Sequence, residues 1–294
     1  MLRETPTSFI IEEQQQGDVM SEIVLKQNKD GSVVYVSDVQ AVLLGMLKDV
    51  HDVCEKHRIP YFLNGGSALG AYRHQGFIPW DDDVDIAMLD TDFERFLQVI
   101  NKELSDDYVI DAFELKNCYN VCIPAMKIRK KNTYVKEVNT LLKNKCKDSD
   151  GLFIDVFVYS HVSDKMIVDL PFRLFNVVLM PILVLLENMG TNPVWLKRLF
   201  KHVAKVYGKL NAQSAFIGFD LTWTFKNPLK PFRFKKDVIY PVKKMMFEGY
   251  EFYVANKIET YLSIAIAPTF KQLPKKEHQK PKHIVDINLN GDKP

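Results

Sequence analysis

The stretch Gly65-Gly66-Ser67-Ala68-Leu69-Gly70-Ala71-Tyr72-Arg73-His74-Gln75-Gly76-Phe77-Ile78-Pro79-Trp80-Asp81-Asp82-Asp83-Val84-Asp85-Ile86 decides the fold. Just before it, the apolar run at 61–64 reads as a short buried strand that enters the Gly-Gly-Ser turn. After Ser67 a helical turn is expected to about residue 74, then a loop over 76–80 and a strand over 83–88. In a strand, side chains alternate faces, so Asp83 and Asp85 share one side while Val84 and Ile86 face the core. At about 3.3 Å per residue the two carboxylates stand roughly 7 Å apart and repel unless a cation lies between them. A solvated acidic loop is the usual fate of a charge run. The apolar alternation counts against that reading for Asp83 and Asp85, though not for Asp81.

Further along, the segment 152–158 is an apolar strand broken by one acid, Asp155. An ionised carboxylate there is costly unless paired or bound to metal. A structural ion pair is the plain alternative, and a third metal ligand is the favoured reading beside Asp83 and Asp85. Oxygen-only ligands suit Mg²⁺ or Mn²⁺. Three carboxylates on adjacent strands can hold two such ions, one activating an attacking oxygen and one steadying a diphosphate. Gly66 and Ser67 allow backbone N–H groups to approach phosphate oxygens, and a following helix N-terminus adds a favourable dipole.

Outward from this unit, apolar residues recur from Val39 to Cys54 at helical spacing, with Ser37 as the expected N-cap of a helix ending near residue 57. Asp90 or Thr91 is expected to cap a helix that turns Phe93, Phe96, Leu97 and Ile100 inward. Strands fit 108–113, 125–129 and 152–159. Helices follow to about residue 211, then a hairpin at Glu248-Gly249 and a final helix over 257–266. The expected fold class is α/β (α+β), a mixed-sheet core with a mostly helical addition. The divisions are a polar lead-in over 1–35 with a short hairpin near Lys29-Asp30-Gly31, a core over 36–160, a helical basic insertion over 161–236, and a C-terminal hairpin, helix and basic tail over 237–294.

The chain has 294 residues, 47% of them hydrophobic, and a formal net charge of +2, which excludes disordered, collagen-like and small disulfide-scaffold classes. The near-zero total hides +9 over 191–236, +3 over 271–294 and −10 over the remainder. The four cysteines, Cys54, Cys118, Cys122 and Cys146, read as reduced thiols without a second pair at metal-ligand spacing. No signal peptide is legible, so a cytoplasmic setting is expected. The apolar run at 174–186 is too short to span a bilayer and reads as a buried helix. The sharper alternative is an interfacial or re-entrant segment, peripheral at the inner face of the membrane, suggested by the basic block that follows.

The segment from Gly66 to Ile86 closely resembles the hallmark of the LicD family within the nucleotidyltransferase superfamily. The resemblance continues through Lys127-Ile128-Arg129-Lys130-Lys131-Asn132-Thr133 and Ile154-Asp155-Val156-Phe157, and more weakly at Phe247-Glu248-Gly249 and Tyr261-Leu262. It implies a nucleotidyltransferase-like core that transfers a phospho-alcohol, such as phosphocholine or a polyol phosphate, from a CDP-alcohol donor to a cell-surface glycan or its lipid-linked precursor. Asp83, Asp85 and Asp155 match the family's metal-binding acids, and Gly66 and Ser67 its phosphate-facing turn. Arg73, Lys127 and Arg129 are expected donor-phosphate contacts, because a migrating phosphoryl group requires positive charge. For Lys127 and Arg129 a structural cation is an even alternative. Where many relatives carry a Tyr-Gly-Asp segment before a Pro and a final His, this chain reads 266–274 without the Gly-Asp, and His283 matches the final His. A nucleotide-sugar-dependent glycosyltransferase and a catalytically retired membrane-associated interaction protein are the rival classes. No nucleic-acid partner is expected.

Overall fold

The computed structural model describes residues 23–28, 30–122, 124–138, 146–147, 149–221 and 232–291. Residues 1–22 of the expected lead-in therefore lie outside the described residues. β1 (Val24–Gln27) and β2 (Val33–Tyr35) form the expected antiparallel hairpin. α1 (Val36–His57) buries Val39, Leu43, Met46, Leu47, Val50 and Val53, the face its spacing dictates. Its N-cap is Tyr35 rather than Ser37, because the Asp38 carboxylate reaches back to accept the Tyr35 N–H at 2.8 Å.

β3 (Phe62–Leu63), α2 (Gly65–His74), β4 (Asp85–Leu89) and α3 (Asp90–Glu103) follow. α3 starts at Asp90 with Leu89 as N-cap, and it buries Phe93, Phe96 and Ile100. β5 (Tyr108–Ala112), β6 (Met126–Lys130), β7 (Tyr134–Glu137) and β8 (Phe153–His161) complete the first half. α4 (Met166–Asn188) and α5 (Val194–Leu210) form the helical addition. β9 (Phe216–Phe219), β10 (Phe234–Lys235), α6 (Lys236–Ile239), the hairpin β11 (Lys243–Phe247) with β12 (Tyr250–Val254), α7 (Ile258–Ala265) and β13 (Ile284–Asn288) end the described chain.

The central sheet is mixed, in the order β10-β9-β8-β4-β3, with β6 also on β8 and β5 on β6. β4 and β8 pair in parallel, whereas β6 and β9 pair with β8 antiparallel. β8 is apolar apart from Asp155 and its C-terminal Ser160 and His161, as a strand at the centre of a sheet must be. β9 and β10 correct the expectation that 161–236 is helical, because this segment returns to the sheet edge. β7 pairs with β13 across about half the chain, a ladder no local pattern announced.

Two expectations fail outright. Cys118 and Cys146 are not free thiols but a disulfide with Cα atoms 5.3 Å apart, brought together across a 28-residue separation; Cys54 and Cys122 are the buried free pair. The apolar run at 174–186 is not a buried helix. It belongs to the 23-residue α4, long and apolar enough by length and composition to cross a membrane, and most of that apolar surface is outside the core. The basic block after it is partly consumed internally: Lys197 pairs with Glu187, Lys201 with Glu114, Lys205 with Glu94 and Arg233 with Asp169. Lys226 and Lys230 of that block lie outside the described residues.

Candidate active site

The parallel pairing of β4 with β8 sets Asp85 directly opposite Asp155. Adjacent strands lie about 4.8 Å apart, so the register alone crowds two carboxylates. Asp83 reaches the same cavity, of about 400 Å³, though it precedes β4 rather than lying in it. The expected strand start at Asp83 is displaced because the neighbouring Asp82 is drawn to the C-terminal segment. Its buried carboxylate accepts the backbone N–H groups of Lys282 (3.3 Å), His283 (3.1 Å) and Ile284 (2.8 Å). That clamp carries His283 to the cavity, where Nε2 lies 3.3 Å from Asp83 Oδ2.

The electrostatics follow from burial and crowding. Burial first, and then Asp155 and Asp82, push the Asp83 carboxyl up to about 6 against the opposing pull of His283. Burial and the charges of Asp83, Asp155 and Asp81 hold Asp85 well above the usual carboxylate range. Asp155 is raised by burial and restrained by Lys127, whose Nζ is 2.8 Å from Asp155 Oδ1 and 2.9 Å from Glu137 Oε2. Among the described residues Asp85 has no ion-pair partner.

Gly66 and Ser67 are not a turn ahead of the helix; with Gly65 they form the first turn of α2 itself. Two glycines are required there. A Cβ on Gly65, whose φ is +52°, would stand 3.3 Å from Asp85 Oδ2, and one on Gly66 would stand 2.9 Å from Asp81 Oδ2. The acids thus sit against a helix N-terminus. Ser67 Oγ accepts the Asp85 N–H at 2.9 Å, so this hydroxyl ties α2 to β4.

The expected cations separate. Lys127 lines the cavity. Arg129 does not: it is buried, with Nε 3.1 Å from Asp111, one nitrogen 2.9 Å from Glu137 and another donating to the Gly151 carbonyl at 2.9 Å. Arg73 donates to the carbonyls of Phe270 and Gln272 and faces Asp81 rather than the cavity. Residues that sequence reasoning passed over include Glu137, on the unforeseen β7, and Asn64. Asn64 Oδ1 accepts hydrogen bonds from Tyr261 (2.7 Å) and Tyr159 (3.1 Å), and the Tyr261 hydroxyl accepts the Gly65 N–H at 3.0 Å. A polar residue inside the apolar run at 61–64 was the available signal. Beside the acids, Phe157, Phe219 and Phe232 add aromatic rings to the lining of the cavity.

Crowded carboxylates at a helix N-terminus, one lysine and adjoining aromatic rings thus share one cavity. Residues 58–176 match the family described as LicD/FKTN/FKRP, nucleotidyltransferase domain. Over 281 residues, 85% of this chain and 96% of the relative, the chain is 27% identical to the lipopolysaccharide cholinephosphotransferase LicD of Haemophilus influenzae. It is also 29% identical over 120 residues to an uncharacterised protein of Rickettsia prowazekii, covering 40% of this chain and 42% of that one. Over residues 58–176 the chain is thus similar to the LicD family, and the likeness to one named relative runs along most of its length.

Proposed function

We propose that this protein transfers phosphocholine, or a closely related phospho-alcohol, from a CDP-type donor to a sugar hydroxyl of lipopolysaccharide or a lipid-linked glycan precursor, and that it works at a membrane face. The single observation that carries the reading is the pairing of Asp85 with Asp155 across β4 and β8, with Asp83 in the same cavity. Three half-buried carboxylates facing one lysine leave negative charge that a divalent cation fits, and their oxygen donors suit Mg²⁺ or Mn²⁺. When bound, such an ion supplies charge neutralisation for a transferring phosphoryl group and lowers the pKa of a coordinated hydroxyl.

The chain's own groups support the rest. The N-terminus of α2, stripped of side chains at Gly65 and Gly66, brings the positive end of its dipole near the cavity, which favours a diphosphate, while the Gly65 N–H is held by Tyr261. Lys127, held between Asp155 and Glu137, is placed to turn its ammonium toward the migrating phosphoryl group. The aromatic rings of the lining offer π faces to a trimethylammonium group, the interaction by which quaternary amines are generally recognised. Arg129 acts one step back, fixing Glu137 and through it Lys127.

The test is turnover by the purified full chain with lipopolysaccharide as acceptor and CDP-choline, CDP-ethanolamine, CDP-glycerol or a UDP-sugar as donor, products being weighed by mass spectrometry. Phosphocholine-bearing product in Mn²⁺ and none in EDTA is expected. Transfer of a sugar, or undiminished transfer in EDTA, overturns the proposal.

A further inference from the structure

α4 is inside out. Its buried face carries Asp169, Arg173, Asn176 and Glu187 beside Leu179 and Leu183, whereas its exposed face carries Ile167, Leu174, Val178, Ile182 and Leu185. Ile167 is 83% exposed, Val178 65% and Leu185 60%, against 2% for Asp169 and Arg173. α1, of nearly the same length, has the ordinary polarity, with Val39, Leu43 and Val50 fully buried. A helix whose outer face meets water turns its apolar stripe inward. α4, about 34 Å long at 1.5 Å per residue, does the reverse apart from Leu179 and Leu183, which pack inward.

Each polar side chain beneath it makes at least one hydrogen bond or ion pair. Asp169 binds Arg173 at 2.7 Å and is also held by Tyr207 and Arg233; Asn176 donates to the Leu221 carbonyl at 2.9 Å; Glu187 pairs with Lys197. These bonds fasten the inner face to the folded body, so α4 cannot be surrounded by lipid on all sides. A helix lying in the membrane plane meets both constraints, and a spanning one does not.

We infer that the outward face of α4 docks on the surface of a lipid bilayer, its apolar side chains entering the boundary between headgroups and acyl chains. A second copy of the chain fits this face poorly. Protein interfaces carry a polar rim and hydrogen bonds, yet from Ile167 to Leu186 the only polar side chains are the buried Asp169, Arg173 and Asn176. More than half of the exposed large apolar side chains among the described residues lie between 166 and 210, and they include Trp195 on α5, which is 70% exposed. A tryptophan at the edge of an apolar band is the residue type that settles at headgroup level. This inference goes beyond the proposed chemistry and stands without it.

The experiment is flotation of the full chain with vesicles of phosphatidylethanolamine and phosphatidylglycerol, read alongside its sedimentation in solution. The wild type is expected to float. A triple variant, Leu174→Ser, Val178→Ser and Leu185→Ser, should keep the wild-type circular dichroism and melting behaviour, because the three side chains face outward, and bind vesicles about a hundredfold more weakly. Failure of the wild type to float, or equal flotation of the folded triple variant, overturns the inference. So does a discrete wild-type dimer that ignores vesicles and that the triple variant does not form. None of these outcomes depends on whether CDP-choline is turned over.

Discussion

Two of the regions where this molecule gathers charge away from water do so on opposite plans. Behind α4 each buried charge meets its opposite: Asp169 with Arg173 and Arg233, Glu187 with Lys197. In the cavity between β4 and β8, Asp83, Asp85 and Asp155 face one lysine, and Asp85 has no ionic partner among the described residues. A matched set of buried charges holds a structure together; an unmatched set is waiting for a charge from outside. On the proposed function, the contrast separates residues that fasten the fold from residues that act on a substrate.

The sharpest way to break the contrast is to neutralise one acid of each set. Asp85→Asn should reduce phosphocholine transfer about a thousandfold, the several kcal/mol that a bound divalent ion contributes to a phosphoryl transition state. The same variant should melt higher than wild type in EDTA, because it removes a repelled carboxylate. A lower melting temperature would show that Asp85 belongs to the structural set. Asp169→Ala should do the opposite, costing about 3–5 kcal/mol in urea unfolding by stranding Arg173 and Arg233; a loss below about 1 kcal/mol would remove Asp169 from the matched set.

A milder effect follows from supplying the missing charge. Saturating Mn²⁺ should raise the wild-type melting temperature by a few degrees, and this rise should vanish in Asp85→Asn and Asp155→Asn. The smallest effect is on pH dependence in EDTA. With Asp83 raised to about 6 and Asp85 well above its ordinary value, the folded state binds protons more tightly than the unfolded one. Their contribution to stability is therefore full below about pH 4 and is lost as pH rises through the folded values. Asp85→Asn should flatten the melting temperature between pH 4.5 and 7, and an unchanged slope would mean that the acids do not repel as described.

The parts of this arrangement that were legible in the sequence are those set by local periodicity. Asp85 beside Val84 and Ile86, and Asp155 inside an apolar strand, declare themselves because a lone carboxylate in a central strand needs a reason. The buried face of α1 is legible for the same cause. What escaped depends on distant partners. Arg129 looks like a phosphate ligand until Asp111 and Glu137 arrive from β5 and β7. β7 itself is held by β13, far along the chain. Gly65 and Gly66 are poor helix formers, so nothing local announced that they open α2. The inversion of α4 was legible in principle, since Asp169, Arg173, Asn176 and Glu187 fall on one helical face. The uncharged run begins only at Leu174, so Asp169 and Arg173 lie outside it and the run alone does not show the inversion.

The Asp82 clamp has a consequence for when this protein can first act. His283 reaches Asp83 only after the N–H groups of 282–284 have closed on the Asp82 carboxylate, some two hundred residues upstream. Tyr261, which braces Gly65 and Asn64, is also made late. A growing chain that has already folded its central strands therefore holds the acids but an open-sided cavity. The order of synthesis leaves that side of the cavity unformed until residue 284 has emerged and docked.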